Sequence, residues 1–367
     1  MAPVRFALIG CGKIAERLAM PQLTGCPDAR VTALVDIRLP VAQRLADKFG
    51  VERKLIWTDW KRMLREADVD AVGICLPNYL HDDAVIACCE AGKHVMVEKP
   101  MATSLAEADA IIRAAKQAGV KLMVEQTQRF DPVHEAAKDL LDSGLLGTIQ
   151  MLRGRIGNAG AEYWSDDSPW FTRQDQAGGG ALIDVGVHAI DLVLWLSGKR
   201  VKRVCASGKT IEKPIKVEDN ASCLLEFDDG TMGIIEASWT TRPYEVTTQF
   251  YAQRGTMRTE LGFGVTHPVA VQFCQAHGNP NIPLGEDYYP KIPAASRHEG
   301  AYQHFTRCIQ NDTTPFVTGE DGRASLEVIL AAYESIRTGR WVTLPLPAGR
   351  YAGARRATGK RSAREAP

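Results

Sequence analysis

The sequence predicts an α/β protein: a doubly wound parallel sheet in the N-terminal part, then a C-terminal α/β region with a large open, mostly antiparallel sheet. Three observations carry this expectation. From residue 4 to about residue 124, short apolar runs alternate with amphipathic stretches, the pattern of βαβ units. The first run leads directly into Gly10-Cys11-Gly12-Lys13-Ile14-Ala15, a GxGxxA turn set between a strand and a helix. Beyond residue 144 the apolar period shifts towards two, as in strands with one buried face.

Taken in order, residues 4–9 read as the first strand and 14–23 as a helix. A second strand over 31–35 precedes a helix over 40–49 that stops at Gly50. Strands follow at 71–76 and 94–97, separated by a helix over 82–91 with Gly92 as its stop, and 122–124 closes the first sheet. After Asp131-Pro132 comes a helix over 133–142. Strands are then expected at 151–156, 201–207, 222–227, 232–238, 246–251 and 257–260, with Asp229-Gly230 as a hairpin turn. Helices are expected at 185–196, 302–310 and 322–338. The division this suggests is 1–128, 129–349 and a tail, 350–367, which holds six Lys/Arg among Ala and Gly.

The chain has 367 residues and equal numbers of basic and acidic side chains, 44 each. That length suits two domains, and zero net charge lacks the basic surface a nucleic-acid binder needs. No apolar run approaches the roughly 18 residues of a membrane span, and the first residues lack the long apolar core of a signal peptide. The nine cysteines show no zinc spacing and mostly sit in apolar strand or helix patterns. They read as reduced, buried thiols of a cytoplasmic protein.

In the GxGxxA turn, Gly10 permits the bend, Gly12 lets the backbone approach a pyrophosphate, and Ala15 allows close helix packing. Cys11, Lys13 and Ile14 complete the turn, and the helix N-terminus faces the anion with its amides. Asp36 ends the second strand, where a carboxylate accepts the adenosine ribose hydroxyls and repels a 2′-phosphate. The expected cofactor is therefore NAD rather than NADP. Arg38 complicates this, since a guanidinium there stacks on adenine or meets a phosphate.

Lys99 follows a parallel strand at its carboxyl end, where ligands of open α/β sheets bind, and Pro100 stiffens the turn that presents it. Its ammonium suits the oxygen of a reacting hydroxyl. Asp184, His188 and Asp191 are spaced four and three apart, which predicts one shared helix face. His188 suits proton acceptance near neutral pH, with Asp184 orienting the ring or the substrate. Asp191 either extends this group or braces the helix. A metal is the competing reading, but the set lacks the third and fourth ligands such a site needs.

These residues lie in ordered motifs: Cys75-Leu76-Pro77-Asn78-Tyr79-Leu80-His81, Glu98-Lys99-Pro100, and Gly178-Gly179-Gly180 leading to Asp184 and His188. With the glycine turn, they resemble the Gfo/Idh/MocA family of oxidoreductases over about residues 4–345. The resemblance implies an N-terminal Rossmann domain holding a nicotinamide cofactor and a C-terminal domain lining the substrate site. It implies Lys99, Asp184 and His188 as catalytic residues. It implies that Leu76, Pro77, Asn78, His81, Glu98, Lys99 and Gln126 help hold the cofactor, and that the open sheet makes a homodimer or homotetramer. Arg129, Trp164 and Trp170 are further candidates, with Lys99, Asp184 and His188, for contact with a sugar or polyol. The activity implied is hydride transfer at a secondary alcohol carbon of a sugar, sugar derivative or cyclitol. A glycosidase that uses tightly bound NAD and a non-catalytic NAD-binding regulator are the alternatives.

Overall fold

The computed structural model describes residues 2–163, 169–274 and 285–347. The expected tail therefore lies outside the described residues. A first, wholly parallel sheet contains β1 (Val4–Ile9), β2 (Ala29–Val35), β3 (Ile56–Trp57), β4 (Ala71–Ile74), β5 (His94–Glu98) and β6 (Leu122–Glu125), in the order β3-β2-β1-β4-β5-β6. The strand order reverses between β1 and β4, which opens a crevice at their carboxyl ends. Both strands are buried along nearly their whole length, because helices cover both faces of a parallel sheet.

The helices of this half are α1 (Met20–Thr24), α2 (Leu39–Phe49), α3 (Trp60–Glu66), α4 (His81–Glu90) and α5 (Leu105–Ala118). Their ends carry the expected stops: Gly50 at φ 69°, Gly92 at φ 69° and Gly119 at φ 65°. The sequence reading passed over β3, α3 and α5. The first is two residues long, too short to show a period. The helix expected over 14–23 is not uniform, since residues Ala15–Ala19 form a π-helical turn before α1.

The helix α6 (Pro132–Asp142) starts where Asp131 accepts the Val133 amide, with Pro132 as its first residue. It leads to β7 (Ile149–Gly157), α7 (Gln174–Ala177), α8 (Ala181–Asp184) and α9 (Gly186–Ser197). Next come β8 (Val201–Lys209), β9 (Asn220–Phe227), β10 (Met232–Ser238), β11 (Glu245–Ala252), β12 (Gly255–Gly262) and β13 (Val269–Phe273). The chain then forms α10 (Ala301–Gln310), α11 (Gly319–Thr338) and β14 (Val342–Thr343). The second sheet runs β13-β12-β11-β7-β10-β9-β8-β14 and is antiparallel except for the β7–β10 pair. Residues along β9 alternate between buried and open, because α9 and α11 cover one face of this sheet.

The helix expected over 185–196 is α9, but Asp184 lies outside it, at the end of α8. The chain bends by 50° between Gln174–Asp184 and Gly186–Ser197. The last helices also return to the first sheet: α10 packs on β1, with Phe305 and Tyr302 against Phe6. Among the described residues no single helix is long and apolar enough to cross a membrane.

Candidate active site

The glycine turn is tight for a steric reason. Gly10 has φ 94°, and a Cβ there would lie 2.3 Å from the carbonyl oxygen of Cys75 at the end of β4. Only glycine closes the crevice in this way. Gly12 faces open space, with nothing within 4 Å of a built Cβ. Asp36 accepts the Cys11 amide at 3.0 Å and the Arg38 amide at 2.9 Å, so the carboxylate ties the turn to the end of β2. The exposed Arg38 guanidinium stays 3.9 Å from that carboxylate, and Ile14 is exposed on the first turn. An open glycine cradle beside a fixed strand-end carboxylate fits a dinucleotide without a 2′-phosphate.

At the carboxyl end of β5, Lys99 Nζ donates to the Asp184 carbonyl at 2.8 Å and to Asp184 Oδ1 at 3.0 Å. The other carboxylate oxygen of Asp184 accepts from the indole N–H of Trp239 at 3.0 Å. Trp239 is fully buried, so Asp184 is held from both sides and keeps Lys99 aimed. An ammonium has three donors, and two are used here. His188 is half-buried, with Nδ1 3.2 Å from Gln126 Oε1. With Nδ1 donating to that oxygen, Nε2 keeps its lone pair. Desolvation first, then the Lys99 ammonium, holds the His188 pKa well below its ordinary value. The imidazole is neutral at physiological pH and able to take a proton.

Several expected residues do other work. Asp184 and His188 do not share one helix face, because Asp184 ends α8 and His188 lies beyond the bend in α9. Asp191 is buried and accepts two bonds from Arg129, at 2.8 and 2.7 Å, plus one from Ser325. Arg129, a candidate for substrate contact, is 4% exposed and is also bonded to Asp321, so its guanidinium is engaged within the fold. An isolated buried charge is so costly that the pair stays together. His81 is likewise fully buried, its ring nitrogens 2.9 Å from the Pro100 carbonyl and 2.8 Å from that of Leu76. It braces two loops instead of lining the crevice. Asn78, after Pro77, donates to the Ala177 carbonyl at 2.8 Å and so joins the β4 loop to α7. Trp170 stacks on Phe171 with ring centroids 3.7 Å apart. Trp164 lies outside the described residues.

The sequence reading missed Trp239, Glu218 and Tyr333. Glu218 accepts from the Gly180 amide at 3.0 Å, the Leu182 amide at 3.0 Å and the Tyr333 hydroxyl at 2.9 Å. A Cβ on Gly179 would lie 1.8 Å from that hydroxyl, and one on Gly180 would lie 2.0 Å from the Glu218 carbonyl oxygen. The glycine run before Asp184 is thus explained by its lid, which comes from residues far along the chain. The only available sequence signal was the glycine run itself. Among the described residues, no group of three or more His, Cys, Asp or Glu is placed to hold a metal ion.

Residues 4–126 match the model described as oxidoreductase family, NAD-binding Rossmann fold, and residues 134–258 match the GFO/IDH/MocA C-terminal domain. The scyllo-inositol 2-dehydrogenase (NAD(+)) of Bacillus subtilis (strain 168) is 30% identical over 348 residues, covering 93% of this chain and 96% of the relative. The chain belongs to the Gfo/Idh/MocA family. Among other members, the myo-inositol 2-dehydrogenase of Thermotoga maritima is 27% identical, over 93% of this chain and 98% of that one. The WlbA dehydrogenase from Bordetella pertussis, solved with NADH and UDP-GlcNAcA, is 25% identical with a TM-score of 0.79, covering 94% of this chain and all of that one. As a Gfo/Idh/MocA member the chain is an NAD-binding dehydrogenase, in a family that acts on sugars and cyclitols.

Proposed function

We propose that this protein is an NAD-dependent dehydrogenase acting on a secondary alcohol carbon of a sugar, sugar derivative or cyclitol, with cyclitols the first substrates to test. The observation that carries this reading is the juxtaposition of Lys99, fixed by Asp184, with the neutral His188 at the carboxyl ends of the parallel strands. When bound, the nicotinamide supplies the hydride acceptor or donor. His188 Nε2 takes the hydroxyl proton, and the free donor of Lys99 stabilises the developing alkoxide. Asp184 and Trp239 hold that ammonium in place. Gly10, Cys11, Gly12, Lys13 and Ile14 form the pyrophosphate cradle, and Asp36 selects the unphosphorylated ribose. The Trp170–Phe171 stack precedes α7 and offers an aromatic face to substrate C–H groups.

Nicotinamide absorbance, followed with NAD and with NADP across inositols, hexoses, glycosides and nucleotide sugars, tests this function. Reduction of NAD by at least one polyol is expected. A silent panel in both directions would overturn the reading.

The outer face of the second sheet supports assembly into a homodimer or homotetramer. Tyr251, Met151 and Met232 pair in register across β11, β7 and β10, and they are 38%, 41% and 52% exposed. Such an apolar row suits burial against a second copy. Light scattering is expected to show an oligomer, and Met151→Glu with Met232→Glu is expected to shift it towards monomer. All nine cysteines are free, which suits a reducing cytoplasm.

A further inference from the structure

The parallel strands β5 and β6 end in register at Glu98 and Glu125. Both side chains are buried, at 8% and 1% exposure. Their carboxyl groups lie within hydrogen-bonding reach of each other. One oxygen of each, Oε1, has no other partner among the described residues. Two carboxylates have no hydrogen to share, whereas an acid and a carboxylate do. Adjacent like charges without solvent cannot both persist.

The surroundings leave the pair in this state. Lys99 is the one cation among the groups acting on it; its amide donates to Glu98 Oε2 at 3.3 Å, while its ammonium is committed to Asp184. Just after β4 comes Cys75, whose thiol is hydrogen-bonded to Tyr302 of α10. Burial, reinforced by the acidic pair, holds both of these groups neutral. Gln126 follows Glu125 and holds His188, and its own amide nitrogen is buried without a partner among the described residues. Among the described residues, Lys99 is the only arginine or lysine among the groups that act most strongly on the pair.

We propose that Glu98 and Glu125 form a one-proton carboxyl dyad beneath the nicotinamide end of the cofactor site, whose single negative charge favours the oxidised, cationic ring over the reduced, neutral one. This rests on the reading above that the cofactor's reacting end lies beside Lys99. It gives the buried acids a task that the proton transfer at His188 does not require. As pH falls and the dyad takes its second proton, the preference for NAD⁺ over NADH weakens.

Infrared spectra of the cofactor-free protein decide the first half. A protonated carboxyl band is expected at neutral pH in the wild type and is lost in Glu125→Gln, where Glu98 keeps the charge and the amide keeps the contact. Absence of that band from the wild type would overturn the dyad. Equilibrium titrations with NAD⁺ and NADH decide the second half. The affinity ratio is expected to stay near wild type in Glu125→Gln and to move roughly tenfold towards NADH in the Glu98→Gln/Glu125→Gln protein, as expected for one buried charge removed nearby. An unchanged ratio in the double variant would overturn the electrostatic role. Failure of the wild type to bind either nucleotide would instead overturn the cofactor reading, and the infrared band would still decide the dyad.

Discussion

Replacing Lys99 with Met is expected to lower kcat by about 10²- to 10⁴-fold, the range of a lost general acid–base or oxyanion donor, while NAD affinity stays near wild type. Met keeps the length and the apolar stem of lysine but removes the ammonium that Asp184 fixes at 3.0 Å. The pH profile separates a chemical role from a structural one. The Lys99 charge disfavours the imidazolium form of His188. Its removal therefore raises the His188 pKa, and the acid limb of the rate profile moves to higher pH. Initial rates across pH, with nucleotide titration and a melting curve, check all three expectations. Near-normal turnover would remove Lys99 from the chemistry.

Gly180→Ala is expected to destabilise the fold by at least about 1–3 kcal/mol, the scale of overpacking, and to reduce kcat/KM by more than tenfold. The added methyl would lie 2.0 Å from the Glu218 carbonyl oxygen, a backbone atom that no rotamer change can move. Relief requires displacing residues 178–182, which breaks the hydrogen bonds that the Gly180 and Leu182 amides donate to Glu218. The short helix α8 then moves, and with it Asp184 and the aim of Lys99. Urea unfolding and steady-state kinetics measure the two effects. A variant with an unchanged midpoint and rate would show that this segment adapts freely.

Much of the fold was legible in the sequence because its signals are local. A glycine turn after an apolar run, a strand-end aspartate and a lysine before proline each sit within a few consecutive residues. Their positions in a βαβ pattern place them at one edge of the sheet. The same holds for the alternation in β9 and for the hairpin at Asp229-Gly230, where Gly230 has φ 86°. The short β3 and β14 were not legible, since two residues carry no period.

The site itself divides along the same physical line. The sequence by itself singled out Lys99, Asp184, His188, Gln126 and the glycine turn as candidates for the crevice. Tertiary structure decided what each one touches. Counting four and three residues assumed an unbroken helix, and the bend after Asp184 separates that carboxylate from the α9 face of Asp191. Arg129 and Asp191, distant in sequence, pair with each other because burial makes either charge costly alone. Trp239 on Asp184, Tyr333 over Gly179 and Glu125 beside Glu98 depend on strand order and helix packing. Those contacts join residues whose separation along the chain leaves no periodic trace, so only the packed fold reveals them.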